Sequence, residues 1–108
     1  MADTNPNALF SAEEWVRLCN SFGDLVPTVC MEECAELIQA ISKVQRSIAN
    51  GDEAPPIGGV IEELADVIIA MNLLQLKWDI DFEKVEEKFV AKIKRNIERT
   101  EGKQCAMP

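Results

Sequence analysis

The chain contains no histidine at all. That absence excludes His-based catalytic triads, His-ligated zinc, and the Glu-x-x-His helices of di-iron bundles. Surplus positive charge is missing as well: the net charge is −8. A general nucleic-acid binder neutralises phosphates with excess Lys and Arg, so nucleic acid is not an expected partner. A small phosphorylated substrate stays admissible, because cations held by acidic groups would reverse the local charge it meets. The four cysteines, Cys19, Cys30, Cys34 and Cys105, form no C-x-x-C pair. Cys30 and Cys34 fall one turn apart on an apolar helical stripe and read as small core residues. That usage fits a reducing compartment, and the expected location is cytoplasmic. Residues Met1 to Phe10 show neither the basic region nor the apolar run of a signal peptide. The most apolar segment, Leu64 to Leu76, is interrupted by Asp66 and too short to span a bilayer, so no membrane partner is expected.

What is present is helical. A length of 108 residues suits a single domain, 1–108, with flexible ends expected at 1–7 and 101–108. Ser11 and Glu14 have the spacing of a capping box, which opens a first helix reaching about Phe22, before Gly23. Pro27 suits the first turn of a second helix, which reaches about Ala49 and stops at Asn50-Gly51. Its stripe of Cys30, Cys34, Leu37, Ile38, Ile41, Val44 and Ile48 has the helical period. Residues 50–59, with Pro55-Pro56 and Gly58-Gly59, read as a loop. A third helix is expected from about Val60 to Trp78. A fourth, capped by Asp79 or Asp81, is expected from Phe82 to about Thr100. No segment reads as a strand. The fold class is therefore all-α, a four-helix subunit.

The third helix is apolar on nearly every face, since only Asp66, Asn72 and Gln75 are polar between Leu64 and Leu76. Such a helix is buried on all sides. Four helices of one subunit can hardly enclose one of their own number, so a homodimer or homotetramer is expected with this helix at the interface.

One acidic phrase occurs twice. Met31-Glu32-Glu33-Cys34-Ala35-Glu36-Leu37-Ile38 returns thirty residues later as Ile61-Glu62-Glu63-Leu64-Ala65-Asp66-Val67-Ile68. Residues three apart on a helix are neighbours, so Glu33 shares a face with Glu36 and Glu63 with Asp66. Both pairs hold the same phase against their apolar stripes, whereas surface acids usually point away from the stripe. Antiparallel packing of the two helices would gather four carboxylates. That is unfavourable unless a cation sits among them, and an ionised Asp66 amid aliphatics needs the same compensation. An oxygen-only donor set selects Mg²⁺ or Mn²⁺, with Ca²⁺ also admissible, over zinc or copper. The bland alternative is that these are solvated helix acids, some of them favoured near a helix N-terminus.

The paired motif, E-E-x-x-E over Glu32 to Glu36 and E-x-x-D over Glu63 to Asp66, has 26 residues between its halves. It resembles the signature of the MazG-like all-α nucleoside triphosphate pyrophosphohydrolases. The phrase Glu32 to Ala40 is similar to short phage and bacterial members, and the likeness covers about residues 27 to 100. The resemblance implies Mg²⁺ at Glu33, Glu36, Glu63 and Asp66, with Mn²⁺ as the substitute. Glu32 would orient or deprotonate the attacking water, and the catalytic set is Glu32 with Glu33. It also implies hydrolysis of an NTP or dNTP to monophosphate and pyrophosphate, in keeping with nucleotide-pool housecleaning. Lys92, Asn96 and Arg99 lie on one face of the fourth helix and resemble the family's K-x-x-x-N-x-x-R element, which contacts phosphates. A basic helix end complementing the dipole is the plainer reading. Lys43 and Arg46, on the side of Glu36, could equally meet phosphate or pair with neighbouring acids. Trp15, Phe10 and Trp78 could stack on a base, but aromatics at helical spacing are more often core. The departures from the family are a short Asp79-Ile80-Asp81 turn and no base-reading pocket recognisable on the first helix. Two rivals remain: a helical oligomer that binds metal and nucleotide without turnover, and a purely structural helical dimer.

Overall fold

In the computed structural model, which describes residues 9–106, the elements are α1 (Ala12–Phe22), a 3-10 turn (Gly23–Leu25), α2 (Val26–Ala49), α3 (Ile57–Lys77) and α4 (Phe82–Ala106). No strand occurs among the described residues, and the fold is all-α. The expected flexible segment 1–7 lies outside the described residues, as do residues 107 and 108. Among the described residues no helix is long and apolar enough to cross a membrane.

Local chemistry sets the helix ends. Ser11 Oγ accepts from the Glu14 amide at 3.1 Å while Glu14 Oε1 accepts from the Ser11 amide at 2.9 Å, so both bonds of the capping box are made. Gly23, at φ 58°, ends α1 in a conformation that favours glycine. Pro27 sits in the first turn of α2, where a missing N–H costs nothing. Asp81, rather than Asp79, caps α4: its Oδ1 accepts from the Glu83 amide at 3.0 Å. Asp79 instead takes the positive φ of 49° that turns the chain.

Two boundaries differ from the sequence expectation. Helix α3 begins at Ile57, so Gly58 and Gly59 lie in its first turn and the loop contracts to residues 50–56. Glycine is a poor helix former, not a forbidden one, and Pro56 stands at the N-cap position just before it. Helix α4 continues six residues beyond Thr100, to Ala106.

The chain divides into two compact units, Met1–Trp78 and Asp79–Pro108. In the first, α2 and α3 form an antiparallel hairpin, as the short connection requires, with α1 against α3. Val26 at the start of α2 meets Leu73 near the end of α3, and both are almost fully buried. Cys19 of α1 completes this cluster and its thiol donates to the Leu73 carbonyl at 3.7 Å, with Trp15 and Leu74 against it. Cys30, Val44, Val67 and Ala70 are also buried. Lys77 pairs with Asp24 at 3.0 Å, an exposed contact worth little.

On α3 only Val67, Ala70 and Leu73 are buried. Ile61, Leu64, Ile68, Ile69, Met71 and Leu76 stay exposed, so the unit leaves most of this apolar helix uncovered. Trp15 and Phe10 border an apolar groove of about 410 Å³ with Leu18, Ala65, Ile68 and Ile69. Trp78 is exposed instead. The second unit is α4 alone, an amphipathic helix whose Phe82, Val85, Phe89, Ile93 and Ile97 are exposed.

Candidate metal centre

The centre is built from the middle of the α2–α3 hairpin. Glu33 and Glu36 project from one turn of α2, Glu63 and Asp66 from one turn of α3, each pair on one helix face. Antiparallel packing brings the pairs together: one carboxylate oxygen from each of Glu33, Glu36, Glu63 and Asp66 lies within 4.8 Å of the others. Glu33 and Glu63 are half-buried, and Oε2 of each is shielded from solvent without a hydrogen-bond partner. A shielded carboxylate oxygen with nothing to bind is costly. Two of them on residues of one oxygen-only cluster fit a hard divalent cation, and the donor set offers nothing that would favour a soft one.

The electrostatics agree. Desolvation, followed by the charges of Glu36, Asp66 and Glu63, raises the Glu33 pKa above the ordinary 4.5. Desolvation likewise leads for Glu63, followed by Glu36 and Asp66, and its pKa is raised too. Hydrogen bonding with Glu36 adds to the rise at both. Without a cation, the cluster resists holding four charges.

A pH effect follows for the metal-free chain. Raised folded pKa values mean that the folded state binds more protons than the unfolded state just above 4.5. This contribution is therefore fully present below 4.5 and lost as pH rises through the raised values. In EDTA, the stability of wild type relative to the Glu33→Gln/Glu63→Gln double variant is expected to fall as pH climbs from 4 to 7 in urea melts. A difference that is flat, or that rises with pH, contradicts the repulsive cluster.

Glu32 is exposed on α2 beside Glu33. Lys43, two turns after Glu36, lines a cleft of about 520 Å³ with Glu36, Gln39, Ala40, Pro56, Gly59 and Glu63. Arg46 lies in the last turn of α2, exposed, and does not line that cleft. Among the described residues neither Lys43 nor Arg46 enters a salt bridge. On α4, Lys92, Asn96 and Arg99 form one row at the edge of the apolar stripe, and the Asn96 carbonyl accepts from Thr100 Oγ1 at 2.9 Å. Sequence reasoning passed over Gln39 and Gly59. The only available signal was their spacing from the acids: Gln39 follows Glu36 by three residues, and Gly59 precedes Glu63 by four.

Compared with models of protein families, the chain matches the MazG nucleotide pyrophosphohydrolase domain over residues 23–99. The chain belongs to the MazG family. The matched stretch begins at the turn before α2 and ends at Arg99, so it holds both acidic pairs and the whole basic row, and leaves α1 outside. No curated protein and no solved structure matched in the other two comparisons. Membership in the MazG family supports nucleotide pyrophosphohydrolase activity in general terms, on nucleoside triphosphates and dependent on a divalent metal.

Proposed function

We propose that this MazG-family chain hydrolyses a nucleoside or deoxynucleoside triphosphate to the monophosphate and pyrophosphate, clearing unwanted nucleotides from the cytoplasmic pool. The observation that carries the reading is the meeting of four carboxylates within 4.8 Å, two of them with shielded, unpartnered oxygens. Glu33, Glu36, Glu63 and Asp66 would hold Mg²⁺, or Mn²⁺ in its place. The ion would supply a lowered pKa for a bound water and compensation for phosphate charge. Glu32, adjacent to Glu33 in sequence and exposed, orients the attacking water and takes its proton, helped by Glu33. The water oxygen bonds to phosphorus, the bond to the bridging oxygen breaks, and its electron pair leaves with pyrophosphate. No covalent nucleophile is needed, in keeping with a chain that lacks histidine.

Phosphate binding falls to Lys92, Asn96 and Arg99 on α4, with Lys43 and Arg46 on α2. The row on α4 borders an apolar stripe rather than lying opposite it, which favours a role beyond solvation. A homodimer or homotetramer completes the reading, because the unit leaves most of α3 uncovered.

The deciding experiment is pyrophosphate release over a panel of normal and modified nucleotides, with Mg²⁺ and with EDTA. Mg²⁺-dependent release from at least one triphosphate is expected. Saturable nucleotide binding with no release across the panel would favour the non-catalytic binding module, and no saturable metal site would leave only the structural dimer.

A second expectation concerns the basic row. Phosphates are common to every nucleotide, so Lys92→Ala or Arg99→Ala should weaken all substrates alike and preserve their order. Loss of one charge-assisted contact costs about 1.5–3 kcal/mol, roughly ten- to a hundred-fold in kcat/KM. Metal affinity in the absence of nucleotide should barely move. A reordered substrate preference in Arg99→Ala would assign this row to base recognition instead.

A further inference from the structure

Helix α2 bears two cysteines one turn apart, Cys30 and Cys34, and the spacing puts them on one face. Cys30 is buried, as a residue of the core stripe should be, whereas Cys34 is exposed, contrary to that expectation. Burial raises the Cys30 pKa above the ordinary 9.0, and the charge of Cys34 and hydrogen bonding with it add to the rise. The two thiols therefore interact. Cys19 is different: it is buried, and its thiol already donates to the Leu73 carbonyl. An exposed thiol with a second one beside it is the arrangement that traps an oxidised sulfur as a disulfide.

The residues between the two cysteines give the pair its consequence. The turn that joins them holds Met31, Glu32 and Glu33, so a Cys30–Cys34 bond closes a ring around a member of the carboxylate cluster. Cβ atoms one helical turn apart are about 5–6 Å from each other, while a disulfide needs about 3.5–4.5 Å. The backbone of that turn has to make up the difference. A Mg²⁺ site demands near-octahedral geometry, with ligand distances held to within about 0.2 Å. Drawing the turn together therefore takes the Glu33 carboxylate out of its place beside Glu36, Glu63 and Asp66. A disulfide strained in this way is readily reduced, as suits a regulatory bond rather than a structural one.

We propose that Cys34 is a peroxide-reactive site and that its bond to Cys30 switches off the carboxylate centre by displacing Glu33. The proposal rests on the metal-dependent hydrolase reading above and adds regulation of that same site. With hydrogen peroxide, the Cys34 sulfur attacks one oxygen and the O–O bond breaks. Cys34 becomes a sulfenic acid, and the other oxygen leaves as water with the thiol proton. The Cys30 sulfur then attacks the Cys34 sulfur, the S–S bond forms and the S–O bond breaks. Hydroxide departs with the Cys30 proton as a second water. Two electrons have passed from the thiols to the peroxide, and a dithiol reductant returns them by exchange.

The test compares full-length wild type with Cys34→Ala and Cys30→Ala, each reduced, treated with hydrogen peroxide, and reduced again with dithiothreitol. Its readouts are peptide masses, the rise in melting temperature that Mg²⁺ gives, and pyrophosphate release. A glutamate-specific protease cuts after Glu32 or Glu33 and so separates the two cysteines, which makes a Cys30–Cys34 bond visible as linked peptides. Oxidised wild type is expected to yield those linked peptides from a single chain and to lose the Mg²⁺-induced rise. Its turnover should fall by at least about tenfold, the least that disturbing a metal's supporting groups costs. Dithiothreitol should restore all three. Both variants should form no linked peptides and keep the Mg²⁺-induced rise under peroxide; if Cys30→Ala does not fold, Cys34→Ala, at an exposed position, carries the control. Absence of linked peptides in wild type, or bonds to Cys19 or Cys105 in their place, would overturn the proposal. So would linked peptides with the Mg²⁺-induced rise intact, or an equal loss of that rise in Cys34→Ala. If reduced wild type hydrolyses no triphosphate, the function reading fails separately, and the linked peptides with the Mg²⁺-induced rise still decide the switch. Reduced wild type without any such rise would remove the metal centre and the switch together.

Discussion

Glu36→Gln is expected to abolish metal-dependent turnover while leaving a folded, helical protein, and Glu33→Gln, Glu63→Gln and Asp66→Asn should do the same. Altering groups that only support metal ligands costs about 10–100-fold, so removing a ligand should cost at least about a hundredfold. The fold should survive because the four carboxylates repel one another when no cation is present. Each neutral substitution relieves part of that repulsion. The melting temperature in EDTA should therefore hold or rise, and the stabilisation that Mg²⁺ gives wild type should shrink or disappear. Circular dichroism melts with and without Mg²⁺, beside a pyrophosphate-release assay, read both halves. Three of four variants with wild-type activity would remove the metal assignment.

Ile69→Glu is expected to break the assembly. Ile69 is 40% exposed in the single chain and borders the apolar groove with Ile68, Ala65, Leu18, Trp15 and Phe10. An apolar surface of this kind, on a helix apolar nearly all round, needs covering. If a second copy covers it, a glutamate there is buried without a partner, which is among the most destabilising single changes. Light scattering of wild type at micromolar concentration should report a dimer or tetramer rather than 12.0 kDa. Ile69→Glu should fall to monomer or unfold, with activity lost alongside. A monomeric wild type with full activity would refute the assembly.

Much of this protein was legible from neighbours in sequence. The Ser11–Glu14 box, the stop at Gly23 and the Asn50-Gly51 exit from α2 all rest on contacts spanning a few residues, which sequence reports directly. The acids paired for the same reason: three residues apart on a helix means one face, so Glu33 with Glu36 and Glu63 with Asp66 needed only the helical period. Gly58-Gly59 misled because a glycine pair reads as a break, whereas its cost in a first turn is small enough for the rest of α3 to outweigh. Asp79 and Asp81 were equal as caps on paper, and only the positive φ at Asp79 separated them.

By itself, then, the sequence determined the helical class, the exclusion of histidine chemistry and the two acidic half-sites, because each depends on residue types and short-range periodicity. The tertiary structure decided how the half-sites combine. The antiparallel register of α2 on α3 sets Glu33 and Glu36 opposite Glu63 and Asp66, and no local rule states the offset between two helices joined by a loop. The same register puts Lys43 and Gly59 on one cleft and leaves Arg46, one turn further, outside it. Packing also decided which face of α3 is covered: Val67, Ala70 and Leu73 turn inward while its other aliphatics remain exposed. A helix apolar on nearly every side carries no pattern of its own to choose that face, so the choice falls to the residues of α1 and α2 that meet it.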